Sequence, residues 1–213
     1  SISVDHIDLD KSISPVKSKN GLELAEFLRE NHFLGKPGFY LRNYCVINKN
    51  NVRELCNIAT HFNAKGIHVY FLPYHWGGEG GYEHRKEEST LAIISNEDVE
   101  LLKSQFEKLG RLKEQGLLLD NSERFFDEVP KYIQSLNWHC SRLSEIRIDY
   151  NGRMMCCCDR KGTVNQDFHI FDLQDKRKLE EFLNQRKRDA QRCRGCLWSS
   201  SFEFEEESKK NDN

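Results

Sequence analysis

The sequence predicts an α/β fold, a parallel sheet alternating with helices, followed by a smaller α+β region made of a β-hairpin and a helix. Two observations carry this. Residues 1 to 76 read strand, helix, strand, helix, strand, with Gly or Pro between several of them, and such alternation builds a parallel sheet. Further on, EIRIDY and RMMCCC flank Asn151-Gly152, and two strand-like runs joined by Asn-Gly read as a hairpin with a type I′ turn.

The elements follow in chain order. SISVDHI alternates and β-branches like a strand over residues 2 to 7, so the chain reads as beginning inside a sheet, as a fragment of something longer. A helix is expected over 20 to 32 and a strand over 39 to 47. The next helix, 50 to 63, has Asn50 or Asn51 to cap it and Val52, Leu55, Ile58 and Ala59 as its apolar stripe. A third strand covers 67 to 73. Residues 74 to 90, with four glycines, form a loop leaving the C-terminal end of a strand, which is where α/β folds place ligands. His75 and His84 lie in that loop, and without a third ligand they read as solvated. Helical patterns resume over 95 to 116, with Ser95 or Asn96 as cap and Val99, Leu102, Phe106 and Leu109 facing inward, and over 121 to 136. A last helix is expected from about 174 to 190, and the tail EFEEESKKNDN is charged.

Composition narrows the classes of function. The chain has 213 residues, 38% hydrophobic and 31% charged, enough apolar mass for a sizeable core. Thirty-two Lys and Arg against 34 Asp and Glu give a net charge of -2, so there is no broad positive field for a nucleic-acid backbone. No run of about 18 apolar residues suggests a membrane span. The reading is of a cytoplasmic protein with no nucleic-acid or membrane partner.

Eight cysteines in a reducing compartment point to metal ligands or buried thiols. Cys45 sits in a strand pattern and Cys56 in a helix pattern, so both read as core packing. The other six fall between 140 and 196: Cys140, the run Cys156, Cys157 and Cys158, and Cys193-Arg-Gly-Cys196. Alternation along the strand puts Cys156 and Cys158 on one face and Cys157 on the other. A CxxC in a turn can chelate one metal centre, and four thiolates suit zinc or an iron-sulfur cluster alike.

The order Cys140, Gly152, Cys157, then Cys193-x-x-Cys196 resembles the auxiliary-cluster region, of twitch type and related to the SPASM domain, of radical S-adenosylmethionine enzymes. The first part of the chain is similar to that family as well. Ser3-Val4-Asp5 resembles the S-x-D of its fourth barrel strand, NKNNVREL its fifth strand-to-helix passage, and FLPYH its sixth strand exit. The resemblance implies the C-terminal part of a partial (β/α) TIM-like barrel with its following loop and helices over 1–136, a twitch/SPASM-like cluster domain over 137–200, and a charged tail over 201–213. It implies an auxiliary 4Fe-4S cluster on Cys140, Cys157, Cys193 and Cys196, and an S-adenosylmethionine pocket lined by Ser3, Asp5, Asn43 and Leu72. Cys156 and Cys158 are left as packing residues, and His139, Arg142 and Arg194 as hydrogen-bond donors near the cluster.

One departure matters: the family's catalytic 4Fe-4S cluster needs a CxxxCxxC loop, and no such triplet occurs in this chain. The resemblance then implies the C-terminal portion of an oxidoreductase or maturase whose 5′-deoxyadenosyl radical acts on a small molecule or peptide, with flavodoxin or ferredoxin as electron donor. Four cysteine ligands leave no open iron, which implies electron transfer at the auxiliary cluster. Two other readings stand beside it. One is a non-catalytic binding module with a structural four-cysteine zinc site; the other is a thiol redox protein using Cys193 and Cys196.

Overall fold

The computed structural model describes residues 1–34, 36–74, 91, 93, 95–135, 146–155 and 168–192. Three parallel strands, β1 (Ile2–Ser3), β2 (Arg42–Ile47) and β3 (His68–Pro73), lie in the order β1-β2-β3. Helix α1 (Pro15–Glu30) connects the first pair and α2 (Leu55–Asn63), entered through a 3-10 turn at Val52–Glu54, connects the second. Helices α3 (Asn96–Glu114) and α4 (Glu123–Ser135) follow. The chain is thus a mixed α/β fold with a small parallel sheet, as the alternation predicts.

Ahead of the expected helix α4, a short stretch pairs with the sheet that the sequence reading lacks. Residues 118–120 run parallel beside β3: Val69 N–H donates to the Leu118 carbonyl at 3.0 Å and Asp120 N–H to the Val69 carbonyl at 3.0 Å. Only one bridge forms, Val69 with Leu119. Three residues, 118 to 120, are too short for periodicity to reveal.

All four helices contribute to one core. It holds Ala25 of α1, Leu55, Ile58, Ala59 and Phe62 of α2, Val99, Leu102, Phe106 and Leu109 of α3, and Phe125, Phe126, Val129 and Ile133 of α4. From the strands it takes Ile2, Cys45, Ile47, Val69 and Phe71, with Val4 just past β1 and Leu119 at the single bridge. Register partners share a face in a sheet, and the pairs Ile2 with Asn43, Asn43 with Val69, and Cys45 with Phe71 put these residues on one side. The opposite side carries Ser3, Arg42, Tyr44, Val46, His68, Tyr70 and Leu72, and none of these belongs to that core. Helix α1 crosses β1 closely, since a Cβ at Gly21 would lie 2.6 Å from Val4 Cγ2.

The second region is an antiparallel hairpin, β4 (Arg147–Ile148) with β5 (Met154–Met155), and helix α5 (Lys176–Arg192). Residues 168–170 extend it: Met154 N–H donates to the Phe168 carbonyl at 3.0 Å and Ile170 N–H to the Gly152 carbonyl at 2.8 Å. Met154, Phe168 and Phe182 form its core.

The turn differs from the predicted type I′. Gly152 alone adopts positive φ (+79°), while Asn151 does not, and a type I′ turn needs both. Asp149 N–H donates to the Arg153 carbonyl at 2.9 Å and Gly152 N–H to the Asp149 carbonyl at 3.0 Å, which is a three-residue loop closed by a left-handed glycine. The Asp149 carboxylate causes it by accepting the amides of Asn151 (2.8 Å) and Arg153 (2.9 Å).

Helix caps divide in the same way. Ser95 Oγ accepts the Asp98 amide at 3.1 Å, as the sequence suggests. Asn51 stands at the cap position but makes no capping bond. Its amide turns to the sheet instead, donating to the Asp5 carbonyl at 2.7 Å and the Val46 carbonyl at 2.8 Å. No described helix is long and apolar enough to cross a membrane.

Candidate functional site at the strand ends

The four pocket residues implied by the resemblance are all described, and they divide between two faces. Ser3 pairs with Tyr44 and Leu72 with Val46, so both lie on the side away from the helix core, each half-buried. Asn43 is on the other side and fully buried. Its amide does the work of a peptide group: Oδ1 accepts the Val4 N–H at 2.9 Å and Nδ2 donates to the Val4 carbonyl at 3.1 Å. This continues the β1-β2 ladder one residue past the end of β1.

Asp5 is buried and fully engaged. Its Oδ1 accepts the hydroxyls of Ser12 (2.6 Å) and Ser18 (2.9 Å), and its Oδ2 the amide of Ile13 (2.8 Å). These bonds anchor the loop that starts α1 to the end of β1. The structure therefore brings Ser3 and Leu72 to one face, while Asp5 and Asn43 hold β1 in place.

Beside Asp5, His6 is also buried, at 4% exposure. Its Nδ1 accepts the Asp8 amide at 2.9 Å, which puts a neutral ring's proton on Nε2. Nε2 has no hydrogen-bond partner among the described residues. Cys45 is buried, with its thiol 3.7 Å from the Asp5 carbonyl. Burial, reinforced by the Asp5 charge, pushes that thiol well up, so it stays protonated. Burial likewise raises the Cys56 thiol, against the opposing charges of Lys108 and Arg111. Both cysteines have packing roles.

A second cluster, which the sequence reading passes over, lies at the strand starts. Asp120 accepts the Tyr40 hydroxyl and Arg42 Nε (2.5 Å) on one oxygen, and pairs with His68 Nδ1 (2.9 Å) on the other. The Arg42 guanidinium sits over the rings of Tyr40, Tyr44 and Tyr70, at 5.4, 5.6 and 5.2 Å. Burial opposes the Arg42 charge, but hydrogen bonds with Tyr44 and Tyr40 and the Asp120 carboxylate outweigh it and push its pKa up. Tyr40, Arg42 and Tyr44 at every second position were the available signal, a polar and aromatic face of period two. Every oxygen of Asp120 is taken, and clusters at the N-terminal edge of a parallel sheet serve stability.

Among the described residues, no group of three or more His, Cys, Asp and Glu could hold a metal ion. Cys140, Cys156, Cys157, Cys158, Cys193 and Cys196 lie outside the described residues, as do His75, His84, His139, Arg142 and Arg194. What is described are two neighbouring elements: β5 ends at Met155, next to the cysteine run, and α5 ends at Arg192, next to the CxxC. No family model, curated protein or solved structure matches this chain.

Proposed function

We propose that this chain is the C-terminal portion of a radical S-adenosylmethionine oxidoreductase or maturase that carries an auxiliary 4Fe-4S cluster. The observation that supports it best is the run of parallel strand-helix units whose helices share one core on one face of the sheet. That is the local organisation of part of a (β/α) barrel. It is followed by a hairpin and a helix that each end beside cysteines spaced as the resemblance requires.

In this reading Cys140, Cys157, Cys193 and Cys196 hold the cluster, whose donor set of four thiolates suits it. When bound, it would supply a one-electron site for the oxidised substrate. Ser3 and Leu72 would face the cofactor, and Asp5 and Asn43 would fix the strand end that presents Ser3.

The test is anaerobic purification with iron and sulfide supplied. A brown protein with close to one cluster's iron and sulfide, lost in Cys157→Ala and kept in Cys156→Ala, is the expected result. A colourless protein with stoichiometric zinc would replace this reading with a structural zinc module. Equal losses in the two variants would remove the ligand assignment.

A further inference from the structure

The hairpin region packs one face against α5 and holds aromatic side chains in water beside the other. Met154 and Phe168 lie toward α5, where the Phe168 and Phe182 rings meet at 5.5 Å between centroids. Arg153 and His169 form an antiparallel bridge one residue along on each strand, so they point to the opposite face. Phe171 stacks on the His169 ring at 4.8 Å and is 79% exposed. His169 also donates from Nε2 to the Asn151 carbonyl at 3.0 Å, which ties this turn to the loop that carries Tyr150. Tyr150 is 96% exposed, and Ile148 and Ile170 are exposed as well. Four large apolar side chains thus stand in water on adjoining segments, and a grouped apolar surface of this kind marks a docking site.

The charges around it are divided between engaged acids and free bases. Asp149 accepts the amides of its own loop, and Asp172 accepts the His169 amide and pairs with Lys178 at 2.6 Å. Asp175 caps α5 by accepting the Arg177 amide at 2.9 Å. Arg153, Lys176 and Arg177 make no ion pair among the described residues. Two of these cations sit in the first turn of α5, where the helix dipole disfavours positive charge. The next acids, Glu180 and Glu181, lie a turn further along α5. The side chains left to meet an occupant are therefore aromatic and basic.

The same chain supplies a segment of matching chemistry. Phe202-Glu203-Phe204-Glu205-Glu206-Glu207 lies outside the described residues and joins two aromatic rings to four carboxylates. In an extended segment, alternation sets Phe202 and Phe204 on one side and Glu203 and Glu205 on the other. Its reach is sufficient. Phe182, whose ring meets Phe168, precedes Arg192 by ten residues, which is about 15 Å along α5. Ten more residues lead from Arg192 to Phe202, and these can span up to about 33 Å.

We infer that residues 202–207 dock on the hairpin region of their own chain, with Phe202 and Phe204 against Phe171 and Tyr150 and the glutamates toward Arg153, Lys176 and Arg177. The contact closes the chain after α5 into a loop held at both ends. This does not rest on the cluster assignment.

The test uses the whole chain with p-benzoylphenylalanine in place of Phe204, irradiated in dilute solution and digested for mass spectrometry. Crosslinks within one chain to residues 149–153 or 169–177 are the expected result, formed with or without iron. Phe171→Ser is expected to lower their yield about threefold or more, and so is Lys176→Glu with Arg177→Glu. The thermal midpoint should stay at the parent's value in the first variant, because Phe171 belongs to neither core. It should stay or rise in the second, because acids suit a helix N-terminus. Glu203→Lys with Glu205→Lys should repeat the loss while every described residue is unchanged. The inference is overturned if crosslinks fail to form or fall elsewhere, or if all three variants keep the parent's yield. It is also overturned if the crosslinks join two chains, because the occupant is then the tail of a second copy.

Discussion

The two described regions are held together by different means. The first buries apolar residues from three strands and four helices in one core, and ties its short sheet with side-chain amides. Asn43 bonds both backbone groups of Val4. Asn121 does the same for Phe71, accepting its N–H at 2.7 Å and donating to its carbonyl at 3.0 Å. Asn63 holds Leu118 through the N–H (2.6 Å) and the carbonyl (3.3 Å). In the second region, Met154, Phe168 and Phe182 are the buried core among the described residues. A core of that size contributes little against chain entropy by itself, and small modules commonly gain stability from a metal or a cross-link. The first region can be stable through packing; for the second, the cluster proposed above would supply what its described core lacks.

The largest effect should come from removing the bound centre proposed above. Hydrogen exchange read by mass spectrometry on the loaded chain, before and after chelation, is expected to lose protection throughout α5 while β2 and β3 keep theirs. Full protection of α5 without metal would mean that its small core is enough, and the contrast between the regions would fall. Next in size is Asn43→Ala, which leaves the buried N–H and carbonyl of Val4 without partners. At about 1–3 kcal/mol for each such group, a loss of about 3 kcal/mol is expected in urea unfolding. A loss below about 1 kcal/mol would show that water or a backbone shift replaces the amide.

These amides also mark where the sequence stops being legible. The buried faces of β2 and β3 and the stripes of α2, α3 and α4 follow from periodicity, because burial selects apolar residues at fixed intervals. Asparagine carries the opposite expectation, since its side chain bonds nearby backbone and so reads as a turn or cap. Asn51 was legible as a cap and is instead a tie between Asp5 and Val46. β1 was expected to reach residue 7 and ends at Ser3, where the Asn43 amide takes over its pairing. Asn43 shares the parity of Leu41, Cys45 and Ile47, which was the available sign that it faces the helices. For the site, residue types and spacing gave the candidate cysteines, but distances between segments far apart in sequence depend on packing that no local pattern encodes. Strand parity does place Ser3 and Leu72 together.

Two glycines compare the regions at a smaller scale. Gly21→Ala puts a methyl 2.6 Å from Val4 Cγ2, against a well-packed core. Overpacking of this kind costs about 1–3 kcal/mol, and the whole first region should unfold earlier in urea. Gly152→Ala combines a φ of +79° with a Cβ 2.6 Å from His169 Nε2. A left-handed alanine costs about 1 kcal/mol or more, and the damage should stay within the hairpin and α5. If Gly152→Ala shifts exchange in β2 and β3 as well, the two regions unfold as one.

The smallest effect expected is at Asp120, and pH gives it a sign. Burial pushes the Asp120 carboxyl up, but hydrogen bonds from Tyr40 and His68 and the Arg42 charge outweigh this and hold its pKa below the ordinary value. A depressed folded-state pKa means the unfolded chain binds the proton more readily. The stabilisation is therefore fully present above the unfolded pKa of about 4 and disappears as pH falls through the folded value. Arg42 and His68 are part-exposed, and solvent screening keeps the contribution near about 1 kcal/mol. Asp120→Asn should lower the urea midpoint at neutral pH, and the gap from the parent should close below about pH 4 as the parent's carboxylate takes up its proton. A gap that stays constant down to pH 3 would mean that Asp120 acts through shape and hydrogen bonding alone. The strand starts would then be tied by hydrogen bonds and fit alone, as Asn43 and Asn121 tie Val4 and Phe71, with no contribution from the ion pair.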